Sequence, residues 1–345
     1  DLIKIGDIIT SIDGVDVKEK FRELSQYHSA STQTSLEHFV VENILDGAES
    51  IAALEIENGS AGGGKTKFIN LARRIEYKSP NGSTDKCPNG SPDESTDKIT
   101  PAAERKHITL EQATRFIDTS KSEKVPASIG YVDLTKLTLE MVEAMFSKFK
   151  ETKAIIFDMR GYPKLTGNAI SERLAQKDSF AIAKVCRPLV FEPSEICETY
   201  ESRAIGQGLG WKIRQTEKHY QTSIELIRKS SNWIYQGKTV LLIDERAISQ
   251  AETLGMSFKA ANDTVFVGAP TAGANGTVTD FSVPGNIRIF LSGERYELAD
   301  NTQLQRVGLQ PDIPVKPTIA GIKGGRDEVL EKAIEYLSCS QVSCP

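Results

Sequence analysis

The chain lacks the residue patterns that mark metal, nucleic-acid and membrane sites. Its 345 residues include four histidines and five cysteines, and Cys87, Cys186, Cys197, Cys339 and Cys344 share no zinc-chelating spacing. No metal or other cofactor is therefore expected. No apolar run approaches the roughly 20 residues needed to span a bilayer, and no signal-peptide pattern opens the sequence. Acidic residues outnumber basic ones, 47 to 42, and there is no basic stripe, so nucleic acid is not expected as a partner. Cysteine pairs are open to two readings: Cys186 with Cys197 and Cys339 with Cys344 closing short loops in an oxidising compartment, or free buried thiols. Sequons at Asn58, Asn81, Asn89, Asn262 and Asn275 matter only in a glycosylating host. What is present is enough chain for a large core and two domains.

The first stretch, LIKIGDIITSIDGVDV, alternates apolar residues (Ile3, Ile5, Ile8, Ile12, Val15, Val17) around an Asp13-Gly14 hairpin signal. One or two helices are expected between Ser31 and Leu45, then strands over IAALEIEN and KFINLARRIEY. The opening stretch resembles the Gly-Asp-x-Ile-x-x-Ile-x-Gly-x-x-Val core of a PDZ domain. That resemblance implies a peptide groove that adds an extended segment to a sheet edge, in a domain already under way at Asp1. The alternative is a β domain that only packs on its neighbour. Between the two strands, Gly59 to Thr66 (GSAGGGKT) fits the P-loop pattern, but a phosphate loop must open a helix and strand character follows instead. A glycine-rich hairpin is expected, and no nucleotide.

Ser79 to Thr100 is a polar Pro/Gly/Ser tract in which NGS and STDK recur, which reads as an insertion or linker. HITLEQATRFIDTSK has helical potential. From Ser128 strand and helix patterns alternate: SIGYVDL, LEMVEAMFSKFK, AIIFDM, GNAISERLAQ, SFAIAKVCRPLVF. This order argues for βαβ units and a parallel sheet. Glu192 to Gln236 has weak periodicity and receives no assignment; it is a surface excursion or a flap over a substrate channel.

The most informative stretch is Gly237 to Ala274. The branched apolar run Thr239 to Ile243 suits a buried parallel strand, and Gln250 to Ala261 has helical spacing through Ala251, Leu254, Phe258 and Ala261. Ser249 lies at the helix start, and with Glu252 three residues on it spells a capping box. A helix N-terminus stabilises nearby negative charge, which suits an acyl-transfer nucleophile as well as a plain cap.

Beyond Ser-x-Ala-Glu, the sequence continues with Val-Gly-x-x-Thr-x-Gly in GAPTAGANG, then GLQPDIPV and DEVLEKAIEYL; upstream lie IGYVDLTKLT and AIIFDMRGYP. In order and spacing these blocks resemble the tail-specific (C-terminal processing) serine peptidases, in the branch of the tricorn core protease. The resemblance runs from about Ala127 to the C-terminal end. It implies an α/β fold: a crotonase-like α/β/α layered peptidase core over residues 127–338. Before it come a truncated β-rich PDZ-like domain (1–76) and an insertion and linker (77–126); a tail (339–345) follows.

The resemblance implies Ser249 as nucleophile and the backbone N–H groups of Gly161 and Gln250 as oxyanion hole. Asp158 and Arg160 are expected to form a structural pair, and Tyr162 to narrow the adjoining pocket. The tail-specific branch carries a lysine base where this chain has Ala274. The tricorn-like branch takes its base from a histidine before the PDZ domain, which implies one upstream of Asp1. His28, His38, His107 and His219 all read as surface residues, with His219 the fallback. Gln305 stands where the family has the acidic residue that orients the base; it can do so by hydrogen bonds but not by charge. The expected function is a serine endopeptidase of extended or unfolded polypeptides, exported to a periplasmic or extracellular space. The alternative is a non-catalytic pseudoprotease that binds peptides in the PDZ-like groove.

Overall fold

The computed structural model describes residues 3–47, 49–57, 66–73, 108–117, 129–188, 211–217, 220–285 and 287–338. The P-loop-like glycines, the polar tract, His107, His219, the tail, the sequons at Asn58, Asn81 and Asn89, and every cysteine but Cys186 lie outside these residues. Two compact units result: residues 1–29, 36–108 and 317–327 in one, and 30–35, 109–316 and 328–345 in the other.

The first unit is built on an antiparallel sheet of β1 (Ile8–Ile12), β2 (Val15–Asp16), β3 (Ile51–Glu57) and β4 (Thr66–Ala72), in the order β2-β1-β3-β4. Asp13 and Gly14 both adopt positive φ, 54° and 78°, which the two-residue hairpin between Ile12 and Val15 requires. Ala52, Leu54 and Ile56 alternate inward along β3 and join Ile12, Ile44 and Ile69 in a small core. Val17, expected to continue the strand, instead opens α1 (Val17–Ser25), because the Asp16 carboxylate caps the amides of Lys18 and Glu19 at 2.8 and 3.3 Å. Helix α2 (Gln33–Asn43) lies within the region where helices were expected. Thr66, the last residue of the P-loop pattern, begins strand β4 paired to β3, not a helix.

The second unit carries a six-stranded sheet. After the single helical turn α3 (Leu110–Ala113) come β5 (Thr114–Ile117), β6 (Ile129–Asp133) and β7 (Ala154–Asp158); β11 (Lys238–Ile243), β12 (Val265–Gly268) and β16 (Ile313–Pro314) complete it. The order is β16-β12-β11-β7-β6-β5, parallel except for the edge strand β5. Both faces are covered, as near-continuous apolar strands demand. Ile155, Phe157, Leu241 and Ile243 face α4 (Val142–Lys148), α5 (Gly167–Leu174) and α6 (Gln250–Asn262). Ile156, Val240 and Leu242 point the other way, onto Val329 and Ala333 of α7 (Glu328–Ser338).

One expectation is overturned, and one unassigned region takes a definite form. The segment with helical potential after the linker gives only the four residues of α3 before Thr114 turns into β5, where the β-branched and aromatic run TRFI pairs with β6. The unassigned region contributes β9 (Trp211–Glu217) and β10 (Tyr220–Arg228), which extend β8 (Ser179–Pro188) and β15 (Arg295–Leu298) into a second sheet, β15-β8-β10-β9. In β8, Cys186 is a buried free thiol, and its possible partner Cys197 lies outside the described residues. Strands β13 (Val278–Val283) and β14 (Ile287–Ser292) form a separate hairpin. No described helix is long and apolar enough to cross a membrane.

Candidate active site

Three neighbouring parallel strands end at one edge of the sheet, where open α/β sheets place their ligand sites. Register fixes the meeting: Leu242 pairs with Asp158, and Ile243 with Gly268. The turns leaving β7 and β11 share one device. Asp158 accepts from the Arg160 amide at 3.1 Å and from its guanidinium at 3.0 and 2.6 Å. Asp244 likewise accepts from the Arg246 amide at 3.0 Å and its guanidinium at 2.5 to 3.2 Å. Each Asp-x-Arg run thus folds its own strand end back on itself. Asp158 also accepts from the Tyr131 hydroxyl at 2.7 Å, and burial beside that carboxylate pushes the phenol far above its usual range.

Ser249 follows the β11 turn and precedes α6 with φ 55° and ψ −114°. A residue with a Cβ reaches this conformation only at a cost of order 1–3 kcal/mol. Its amide donates to the Ala274 carbonyl at 3.2 Å, and its own carbonyl accepts from the amides of Glu252 and Thr253 at 2.9 and 3.2 Å. On the Ser249 side the expected capping box does not form, since the Ser249 hydroxyl caps no amide of the helix. The hydroxyl is left for other use. The next amide, that of Gln250, opens the helix and meets no acceptor among the described residues.

Glu252 is fully buried. One carboxylate oxygen accepts from the Thr271 hydroxyl at 2.5 Å and the Gly273 amide at 2.7 Å, and the other from the Ala274 amide at 3.0 Å. Burial pushes its carboxyl up to about 7, against those donors and the Ser249 amide, which favour the ionised form. The sequence signalled Glu252 only as a cap; its partners stand 19 to 22 residues away.

The other expected residues fall as follows. Gly161 lies just beyond β7 at φ 151°, and a Cβ there would stand 2.9 Å from Thr135 Cγ2. Its amide donates to the Met159 carbonyl at 2.8 Å, so an oxyanion role requires that bond to open. Ala274 sits in the loop after β12. Gln305 is beside that loop, but both ends of its side chain serve backbone: Nε2 donates to the carbonyls of Asn275 and Glu294 at 2.6 and 2.7 Å, and Oε1 accepts from the Tyr296 amide at 3.2 Å. A glutamate would turn two of these bonds into repulsions between oxygens. Gln305→Glu is expected to destabilise the chain by roughly 2 kcal/mol in urea unfolding; an unchanged midpoint would show that the fastening is dispensable.

Asn275, 5 % exposed, donates to Thr253 Oγ1 at 2.9 Å, which removes that sequon from the surface. Of the described histidines, His38 pairs with Glu42 at 3.4 Å on α2 and His28 is half-buried after α1. The described residues of the unit that carries Ser249 include no histidine.

The model of peptidase family S41 matches residues 128–315, more than half of the chain. None of the curated proteins compared matches it. Among solved structures, mature CPAF superposes with a TM-score of 0.65 at 15% identity, covering 99% of this chain and 79% of that one. Mature CPAF complexed with lactacystin gives 0.63 at 16% identity, over 97% and 78%. A candidate peptidase from Parabacteroides merdae ATCC 43184 gives 0.50 at 16% identity, over 68% and 67%. At such identities these superpositions speak for the fold.

Proposed function

We propose, for a chain that belongs to peptidase family S41, that Ser249 is the nucleophile of a serine endopeptidase acting on extended or unfolded polypeptide. The observation that carries this reading is the Ser249 backbone, held at φ 55° between strand and helix with its hydroxyl spared from capping. Strain kept at one residue by its surroundings is a mark of sites built for chemistry. Ser249 Oγ attacks the scissile carbonyl and the developing oxyanion takes the open Gln250 amide, joined by the Gly161 amide once it turns from Met159. The amine leaves with the proton taken from Ser249, and water hydrolyses the acyl-enzyme.

The proton needs a base. With Ala274 at one family position and Gln305 occupied by backbone, we assign it to a histidine upstream of Asp1. The first unit, with its Asp13-Gly14 hairpin, is read as PDZ-like and as the place where an extended peptide adds to a sheet edge. A periplasmic or extracellular location goes with this reading. The second reading, a pseudoprotease that only binds peptides, draws on the same Ala274 and on the engaged Gly161 amide.

Degradation of a permanently unfolded protein separates the two. The longest natural form of the polypeptide is expected to cut it while the chain beginning at Asp1 does not. If the long form binds the unfolded protein and leaves it intact, the pseudoprotease reading replaces the enzyme.

A further inference from the structure

Resting on Ser249 as nucleophile, the geometry points to Glu252 as a positioning residue that locks the nucleophile's strained backbone to the loop after β12. The lock is a closed circuit. The Ser249 amide donates to the Ala274 carbonyl, the Ala274 amide donates to the Glu252 carboxylate, and the Glu252 amide donates to the Ser249 carbonyl. The Thr271 hydroxyl and Gly273 amide hold the same carboxylate, so three donors within four consecutive residues of one loop converge on a single side chain of α6.

Packing alone does not call for this arrangement. Ala251 and Leu254 beside it fill the core with carbon, and a carboxylate at full burial is the costlier choice unless each oxygen is used. Both oxygens are used: one anchors Thr271 and Gly273, and the other holds the Ala274 amide, whose carbonyl takes the Ser249 amide. The groups that meet the carboxylate are a hydroxyl and amides, none of which titrates near neutrality, so a change in its protonation falls on the lock itself. When the carboxyl takes a proton, one oxygen becomes a donor facing donors, and the Ala274 peptide is the one with least to hold it.

Glu252→Gln tests this with almost no change in volume. Oriented with its oxygen toward Thr271 and Gly273, glutamine keeps those two bonds and turns an NH₂ against the Ala274 amide. The expected result, in the longest natural form acting on an unfolded protein, is a 10- to 100-fold loss in kcat with KM within about twofold, the size that misplacement of a reacting group produces. The ionisation contributed by the Glu252 carboxyl should also vanish from the acid limb of the kcat profile, the wild type losing rate as pH falls through about 7. A folded variant with wild-type kcat and an unchanged profile would overturn the proposal.

Should the variant not fold, hydrogen exchange in the wild-type chain decides. Exchange at the Gly273 and Ala274 amides, corrected for intrinsic rates, is expected to be about tenfold or more slower than at the Gln250 amide, which meets no acceptor among the described residues, and equal rates would overturn the proposal. Failure of the premise looks different: Ser249→Ala would then retain activity, whatever Glu252→Gln does.

Discussion

Ser249→Ala is expected to lower kcat/KM on unfolded polypeptide by roughly 10⁴- to 10⁶-fold, the loss seen when a serine nucleophile is removed, and to leave the unfolding midpoint within about 0.5 kcal/mol of the wild type. Both halves follow from the same observation. The Ser249 hydroxyl caps no helix amide, so removing it strips no stabilising bond, and alanine carries the same Cβ through the same φ of 55°. Were Ser249 a plain N-cap, the substitution would instead cost roughly 0.5–2 kcal/mol and spare activity. One pair of measurements, turnover and urea unfolding, therefore separates the chemical role from the structural one. Retained turnover with a lowered midpoint is the outcome that removes Ser249 from the chemistry.

Gly268→Ala is expected to give the largest loss of stability, about 3 kcal/mol or more, and to disable the site with it. Gly268 ends β12 at φ 132°, a conformation that L side chains rarely adopt, and an added Cβ would run into the Ile243 carbonyl oxygen. That oxygen accepts from the Ala269 amide at 3.0 Å, closing the junction between β11 and β12. Backbone strain and overpacking, each roughly 1–3 kcal/mol, fall on one atom pair that cannot move aside as a flexible side chain would. The two strands would part where one leaves for Ser249 and the other for Ala274. A fall in the urea midpoint with an unchanged m value is the expected signature; a midpoint matching the wild type would show that the junction yields cheaply.

The catalytic half of the fold was legible because its strands are buried on both faces. Continuous runs such as AIIFD and TVLLI leave little room for another assignment, and the spacing of Ala251, Leu254, Phe258 and Ala261 marks α6. Strand β10 was not legible: along YQTSIELIR, Thr222 and Ile227 are buried, so no two-residue apolar rhythm reaches the sequence. β5 was hidden for another reason, since four residues after a helical turn become a strand only when β6 offers its edge. At the site, spacing flagged Ser249 and Glu252 but not the burial that makes Glu252 unusual, because its partners come from the end of a different strand. Gln305 could be placed by its block yet not given its bonds, which run to carbonyls of Asn275 and Glu294 that no local pattern announces.

Covalent capture tests the central claim most directly. The longest natural form would be treated with a fluorophosphonate, which phosphonylates an activated serine, and the labelled peptide identified by mass spectrometry. The account predicts a single label on Ser249, with proteolysis lost in step with its occupancy. Proteolysis that persists with Ser249 unlabelled, or a label on another serine that alone abolishes cutting, would contradict it.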